Sequence, residues 1–268
     1  MKKLLVFTDL DGTLLDHETY DYAPALPAIA QLQQNGHILI LNSSKTLAEQ
    51  AALRAELGNT APFVVENGAA IACPPNTPGH QGDGTNPTVH VLAADYTSIR
   101  AVVLQLRQEK GYQFRGFGDM DAADIAQITG LPHEAATAAK QRSGSEPLLW
   151  EDTEANRSAF VAEVEALGLQ VTQGGRFLHV MGKTDKGAGV RWLTERYRQE
   201  FPAVEWQVVA LGDSPNDVPM LQAADVGVLM PNPHRQPFAI AHVPHLLQPK
   251  APGPTGWAEA IATLLSQD

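Results

Sequence analysis

Cysteine is almost missing from this chain: Cys73 is the only one in 268 residues. That excludes an internal disulfide and a cysteine-built zinc site. Positive charge is also scarce, with 19 lysines and arginines against 30 aspartates and glutamates and a net charge of −11. A general nucleic-acid or membrane-surface binder would want a basic face, so neither partner is expected. An anionic small molecule stays open, because a few lysines, a metal or helix N-termini can invert the field in one cleft. Long apolar runs are missing as well, and nothing approaches the roughly 20 residues that span a bilayer. The start, MKKLLVFTDLDG, returns to charge too soon for a signal peptide, so the cytoplasm is the expected location. No solenoid repeat or low-complexity tract is visible. What is present is an ordinary globular composition, 44% hydrophobic and 18% charged, sufficient for one large domain or two modest ones.

Several short apolar runs lack strict alternation, as strands covered on both faces do. They lie at 4–7, 37–41, 63–65, 208–211 and 226–230. Helix-like segments separate the early ones: 24–35 ends at Gly36, and 47–57 ends at Gly58 after a Thr46–Glu49 capping box. Such alternation predicts an α/β fold, a Rossmann-like parallel sheet with helices on both faces. The polar residues after the runs are informative: Asp9 and Asp11, then Asn42 to Lys45, Glu66 to Gly68, and Gly212 to Ser214. Open parallel sheets bind ligands at the carboxyl ends of their strands, so these four clusters should converge on one crevice.

The middle of the chain differs. Residues 74–87 are rich in Pro, Gly and Asn and read as a linker or long loop. Strands are expected at 88–93, 112–117 and 147–150, and helices at about 97–110, 122–129, 133–141 and 154–167. A hairpin, 169–172 and 176–181 around Gly174-Gly175, closes the segment. The expected organisation is a core of 1–85 plus 183–268, with 86–182 as an inserted α/β unit.

In DLDGT, Asp9 and Asp11 stand two residues apart at the end of an apolar run. Extended backbone points both to one side, where their repulsion calls for compensation. A polar turn is the plain alternative. Calcium binding of EF-hand type fails, since the sixth loop position is Leu14 and the twelfth is Tyr20. A hard divalent cation suits the pair, with GDSPND supplying Asp213 and Asp217 as further acids. Ser214 caps a helix expected to begin at Pro215. Ser43, Ser44 and Lys45 sit between a strand and a capped helix, where free N–H groups and a cation suit an anionic group. Lys186, at a helix start, is read as a cation that neutralises a nucleophile and a transferring phosphoryl group, or else as a solvated lysine. Gly182-Lys183-Thr184 mimics a P-loop tail but lacks the upstream glycine, where Phe177 stands. His242 and His245 read as surface residues.

Together these motifs resemble the haloacid dehalogenase-like superfamily: DLDGT as its first motif, Ser43 as its second, Lys186 as its third and GDSPND as its fourth. The insertion between the second and third is similar to the C2B-type α/β cap of the Cof-type subgroup, as is ENGA at 66–69. Within it the chain is most similar to the mannosyl-3-phosphoglycerate phosphatase family, through LNSSKT (41–46), PFVVENGAA (62–70), GFGDM (116–120), SEP (145–147), GGRFLHVMGKTDKG (174–187) and GPTGW (253–257). Arg142-Ser143-Gly144 departs from the family pattern, in which an acid follows that arginine.

The resemblance implies a Mg²⁺-dependent phosphomonoesterase. Asp9 would be the nucleophile and Asp11 the general acid and base, with Ser43 and Lys186 cradling the phosphate. The metal would be held by Asp9, Asp213 and Asp11 through its carbonyl, with Asp217 orienting its surroundings. Ser44, Lys45, Asn67 and Asn216 are candidate substrate contacts, Ser44 and Lys45 toward the anionic group; Arg142, Arg176, His179 and Lys183 are candidates for glycerate carboxylate and sugar hydroxyls. The expected substrate is a small phosphorylated sugar, mannosyl- or glucosyl-3-phosphoglycerate. A broad sugar-phosphate phosphatase, a phosphosugar mutase on the same scaffold and a non-catalytic phosphosugar-binding module are the alternatives.

Overall fold

The computed structural model describes residues 2–174, 176–236 and 238–266. Along the chain run β1 (Lys2–Thr8), α1 (Leu26–Gln34), β2 (Ile38–Leu41), α2 (Leu47–Glu56), β3 (Phe63–Val65), β4 (Ala70–Cys73) and β5 (Thr88–Val91). Then come α3 (Tyr96–Lys110), β6 (Phe114–Gly116), α4 (Ala122–Thr129), α5 (His133–Ala139), β7 (Ser145–Trp150) and α6 (Glu154–Ala166). The rest comprises β8 (Leu169–Gly174), β9 (Phe177–Gly182), α7 (Lys186–Glu200), β10 (Glu205–Gly212), α8 (Val218–Gln222), β11 (Val226–Leu229), β12 (His245–Leu247) and α9 (Gly253–Leu265). Two compact units emerge: one of 1–43, 59–89 and 185–268, the other of 44–58 and 90–184.

The first unit is built on a parallel sheet of order β12-β11-β10-β1-β2. β1, flanked by β10 and β2, carries Leu4, Leu5, Val6 and Phe7, all fully buried, which explains the continuous apolar run with no polar alternation. β1 pairs with β10 from Lys2↔Glu205 to Thr8↔Leu211, so both strands end at the same level and deliver Asp9 and Asp213 side by side. α1 and α2 end as expected, with Gly36 at φ +68° and Gly58 at φ +58°. The run at 63–65 departs from expectation. It pairs antiparallel with β4 outside the five-stranded sheet and meets β2's exit through a bridge between Asn42 and Val64. Periodicity cannot separate the two cases, because all three residues of β3 are buried in either arrangement. β4 and β12 lie outside the strands expected above, and the helix expected at Pro215 begins as a 3-10 turn, Pro215–Asp217.

The second unit has an antiparallel sheet of order β6-β7-β9-β8. Ile99, Val103 and Leu106 of α3, with Phe160 and Val164 of α6, form its core against Leu148, Leu178 and Val180 of the strands. The hairpin β8–β9 is as expected, though Gly175 at its turn lies outside the described residues. α2 belongs with this unit: Thr46 closes the capping box with Glu49 and also donates its hydroxyl to the Ala138 carbonyl, 2.9 Å away. Among the described residues no helix is long and apolar enough to cross a membrane.

Candidate active site

β1 delivers Asp9 at its carboxyl end, where the backbone is held from two sides. The Asp9 N–H donates to the Leu211 carbonyl (2.9 Å), and its own carbonyl accepts the Thr8 hydroxyl (2.7 Å). That hydroxyl in turn accepts from Trp257 Nε1 of α9 (3.0 Å), a fully buried indole. The chain then folds back on itself, with the Gly12 N–H donating to Leu15 and the Thr13 and Leu15 N–H groups to Leu10. Gly12 sits at φ +81°, and a Cβ there would lie 2.8 Å from Asp213 Oδ2. Only glycine supplies both the left-handed backbone and the empty space beside that carboxylate.

β10 delivers Asp213, and the GDSPND turn fixes Asp217. Asp217 Oδ2 accepts the Asp213 N–H, the Ser214 N–H and the Ser214 hydroxyl, each at 3.0 Å. Ser214 stands at the cap position as expected, but its hydroxyl donates to Asp217 and makes no side-chain cap hydrogen bond; the Asp217 N–H goes to the Ser214 carbonyl (2.9 Å), and the acid reaches back to the cap residue's N–H. α7 brings Lys186. Asp185 caps the helix by accepting the Ala188 N–H (2.8 Å), so Lys186 stands at its first turn, and the Lys186 carbonyl accepts Asn42 Nδ2 (2.9 Å). Nζ of Lys186 then bridges Asp9 Oδ1 at 2.7 Å and Asp217 Oδ1 at 2.5 Å, with the lysine only 1% exposed.

The electrostatics follow from burial. Burial first, then the charge of Asp217, pushes Asp9 up to about 8, with Lys186 pulling the other way. Asp213 is raised too, chiefly by burial and then by Asp217. For Lys186 burial favours the neutral amine, yet Asp217 and Asp9 outweigh it and its pKa is raised. Three carboxylates facing one ammonium leave an excess of negative charge at the site.

Asp9, Asp213 and Asp217 each offer an oxygen, and the three lie within 4.8 Å of one another. Hard carboxylate oxygens at that spacing suit Mg²⁺, and the excess charge is what a cation would relieve. The three acids are not equivalent. Asp217 has one oxygen on Lys186 and the other on three donors, so it braces the cluster, while Asp9 and Asp213 keep lone pairs to offer. The Asp11 carboxylate falls outside that group; Asp11 is half-buried in the turn after β1.

Ser43, 1% exposed, is fixed by its backbone: its N–H donates to Val64 (3.2 Å) and its carbonyl accepts from Asn67 (3.0 Å). Glu66, Asn67 and Gly68 all have positive φ, at 51°, 57° and 91°. This left-handed turn presents Asn67, whose Oδ1 accepts Asn216 Nδ2 at 3.2 Å. Asn67 and Asn216 are thereby brought together on the unit that carries Asp9.

The remaining candidates lie in the second unit. Arg142 is largely enclosed: its guanidinium donates to the Ala139 carbonyl (2.8 Å), lies 3.9 Å from Glu49 and stands 5.7 Å over the Phe117 ring. Arg176 donates to the Ile128 carbonyl. Ser44, Lys45 and His179 are half-buried, and Lys183 is exposed. Three site residues escaped sequence reading. Thr13 donates to Asp213 Oδ1 (3.4 Å), Asn232 donates to Asp213 Oδ2, and Trp257 acts through Thr8. The polar residues after the apolar run 226–230 were the available signal for Asn232.

Comparison with known proteins agrees with this geometry. A model of the haloacid dehalogenase-like hydrolase family matches residues 6–245. A glucosyl-3-phosphoglycerate/mannosyl-3-phosphoglycerate phosphatase of Methanococcoides burtonii is 38% identical over 99% of this chain and 98% of its own. One of the same description from Persephonella marina is 35% identical over 98% of each. The structure of sucrose-phosphatase from Synechocystis, in complex with sucrose and phosphate, is 15% identical with a TM-score of 0.56 over 98% of both chains, and so shares the fold. The chain belongs to the haloacid dehalogenase-like hydrolases.

Proposed function

We propose that this protein is a magnesium-dependent phosphomonoesterase that converts glucosyl- or mannosyl-3-phosphoglycerate to the glycosylglycerate and inorganic phosphate. The observation that carries this reading is the bridging of Asp9 and Asp217 by the buried Lys186, beside Asp213. The full-length likeness to the two named phosphatases supports the substrate.

In this reading Asp9 Oδ attacks phosphorus in line, an Oδ–P bond forms and the P–O bond to the glycerate breaks. Asp11 gives its proton to the departing alkoxide. Asp11 then takes a proton from a water that attacks the aspartyl-phosphate, which frees phosphate and regenerates Asp9. Lys186 keeps Asp9 oriented and offsets charge on the transferring group, while Ser43 and neighbouring N–H groups, with Asn67 and Asn216, hold the non-reacting oxygens. Mg²⁺, held by Asp9, Asp213 and the Asp11 carbonyl, would supply the charge neutralisation that a loose phosphoryl-transfer transition state requires. We assign 1–85 plus 183–268 to catalysis and the insert 86–182 to substrate choice. Ser44 and Lys45 stay phosphate-side candidates. Arg176, His179 and Lys183 stay sugar-side candidates alongside Arg142, whose guanidinium is held by the Ala139 carbonyl and Glu49. The cytoplasm is the compartment proposed for a phosphorylated small-molecule substrate.

A panel of phosphorylated sugars tests the reading. Free phosphate should appear from glucosyl- and mannosyl-3-phosphoglycerate in preference to simple hexose phosphates, and chelation of divalent cations should stop it. Asp9→Asn should lower turnover by about a thousandfold or more with the fold intact by circular dichroism. Phosphoryl groups retained on the sugar would replace this reading with a mutase.

A further inference from the structure

Beside Asp213 the first unit holds a cavity of about 430 Å³, within the range of small-molecule sites. Its walls come from the ends of β11 and β12 and the loop between them, and they are largely apolar: Leu229, Met230, Pro231, Phe238 and Pro249. Asp213 lines it on one side and Arg235 on another.

The loop carrying Arg235 is tied to the acid cluster. Asn232 Oδ1 accepts the His234 N–H at 2.9 Å, which leaves its amide NH₂ to donate to Asp213 Oδ2. The Arg235 N–H donates to the Asn232 carbonyl at 3.3 Å. Arg235 is exposed, and among the described residues its guanidinium makes no hydrogen bond or ion pair. The other unit's Arg100, Arg107, Arg115 and Arg157 are all paired with acids. Its charge lies close enough to Asp213 to oppose, weakly, the rise that burial imposes on that acid.

An unengaged guanidinium facing an apolar cavity is a receptor for a planar oxyanion attached to a carbon body. In a 3-phosphoglycerate unit only two carbons separate the phosphoester oxygen from the carboxyl carbon. We propose that Arg235 anchors the glycerate carboxylate of the substrate, with the cavity beside Asp213 receiving part of the leaving group. This rests on the glycosyl-3-phosphoglycerate reading above and adds to it a specificity-determining residue outside the inserted unit. Sugar phosphates without a carboxylate leave Arg235 unmatched.

The test compares 3-phosphoglycerate with glycerol 3-phosphate, which has a hydroxymethyl group in place of the carboxylate. Calorimetric titration of each into the magnesium-loaded full chain, in an Asp9→Asn background that prevents turnover, reads affinity alone. The parent should prefer 3-phosphoglycerate, and adding Arg235→Ala should cut that preference by about 10- to 100-fold, the effect of losing a hydrogen bond between charged partners. A parent with no preference, or a preference that stays within twofold after Arg235→Ala, overturns the proposal. Failure of the phosphatase reading would show separately, as no phosphate released from glycosyl-3-phosphoglycerates by the unmutated protein.

Discussion

Gly12 is the smallest residue in the site and among the least replaceable. Its φ of +81° disfavours any side chain, and a methyl group there would press on Asp213 Oδ2. Gly12→Ala should therefore cost about 1–2 kcal/mol of stability, read by urea unfolding, and should weaken Mg²⁺ affinity in the same protein. At this scale the sequence was most readable where chemistry is local. Asp9, Asp11 and Gly12 are consecutive in effect, and a carboxylate pair ending an apolar run announces itself. Thr13 and Asn232 were not readable as site residues, because each acts on Asp213 across a long stretch of chain. Thr13 stands inside DLDGT and Asn232 follows the apolar run 226–230, but neither position by itself names Asp213 as its partner.

Among the elements, the turn Glu66–Gly68 does the least obvious work. Three successive positive φ angles are unfavourable for L-residues, and they persist where the surroundings dictate them. A Cβ on Gly68 would stand 1.9 Å from the Asp185 carbonyl, so this turn lies flush against the cap of α7, one residue before Lys186. Gly68→Ala should push the start of α7 away and carry Lys186 with it. The expected outcome is a fall of about tenfold or more in kcat with KM little changed, measured on the preferred substrate. The ENG tripeptide was legible as a polar cluster after an apolar run, and its convergence with Ser43 is found. Its left-handed geometry was not legible, since only Gly68 is of a type that favours positive φ strongly. The same limit explains β3: burial on both faces makes an antiparallel strand beside the sheet read like a member of it. α2 shows a further limit, because its capping box fixes where the helix starts but not which unit it packs with.

For the whole molecule, the acid cluster couples stability to pH and, under the proposed function, to magnesium. Asp9 has a folded pKa raised to about 8 from 3.8, so its contribution to stability is present below pH 4 and is lost as pH rises toward 8. With divalent cations chelated, thermal unfolding should therefore show a loss of stability between pH 5 and pH 8 that Asp9→Asn reduces. Mg²⁺ competes with the proton, so it should raise the melting temperature more at pH 8 than at pH 5. At a hundredfold excess over Kd the stabilisation is about 2.7 kcal/mol. Equal shifts at the two pH values would count against Asp9 as a metal donor.

The pairing of β1 with β10 joins Lys2 to Glu205 and Thr8 to Leu211, the two strands that deliver Asp9 and Asp213. During synthesis the first of these strands leaves the ribosome some two hundred residues ahead of the second, with one sheet edge unmet and an apolar sequence on display. The nascent chain must protect that edge until β10 has been made. Chaperone demand should accordingly fall on the stretch made between β1 and β10, and the acid cluster can assemble only after Asp217 has been synthesised.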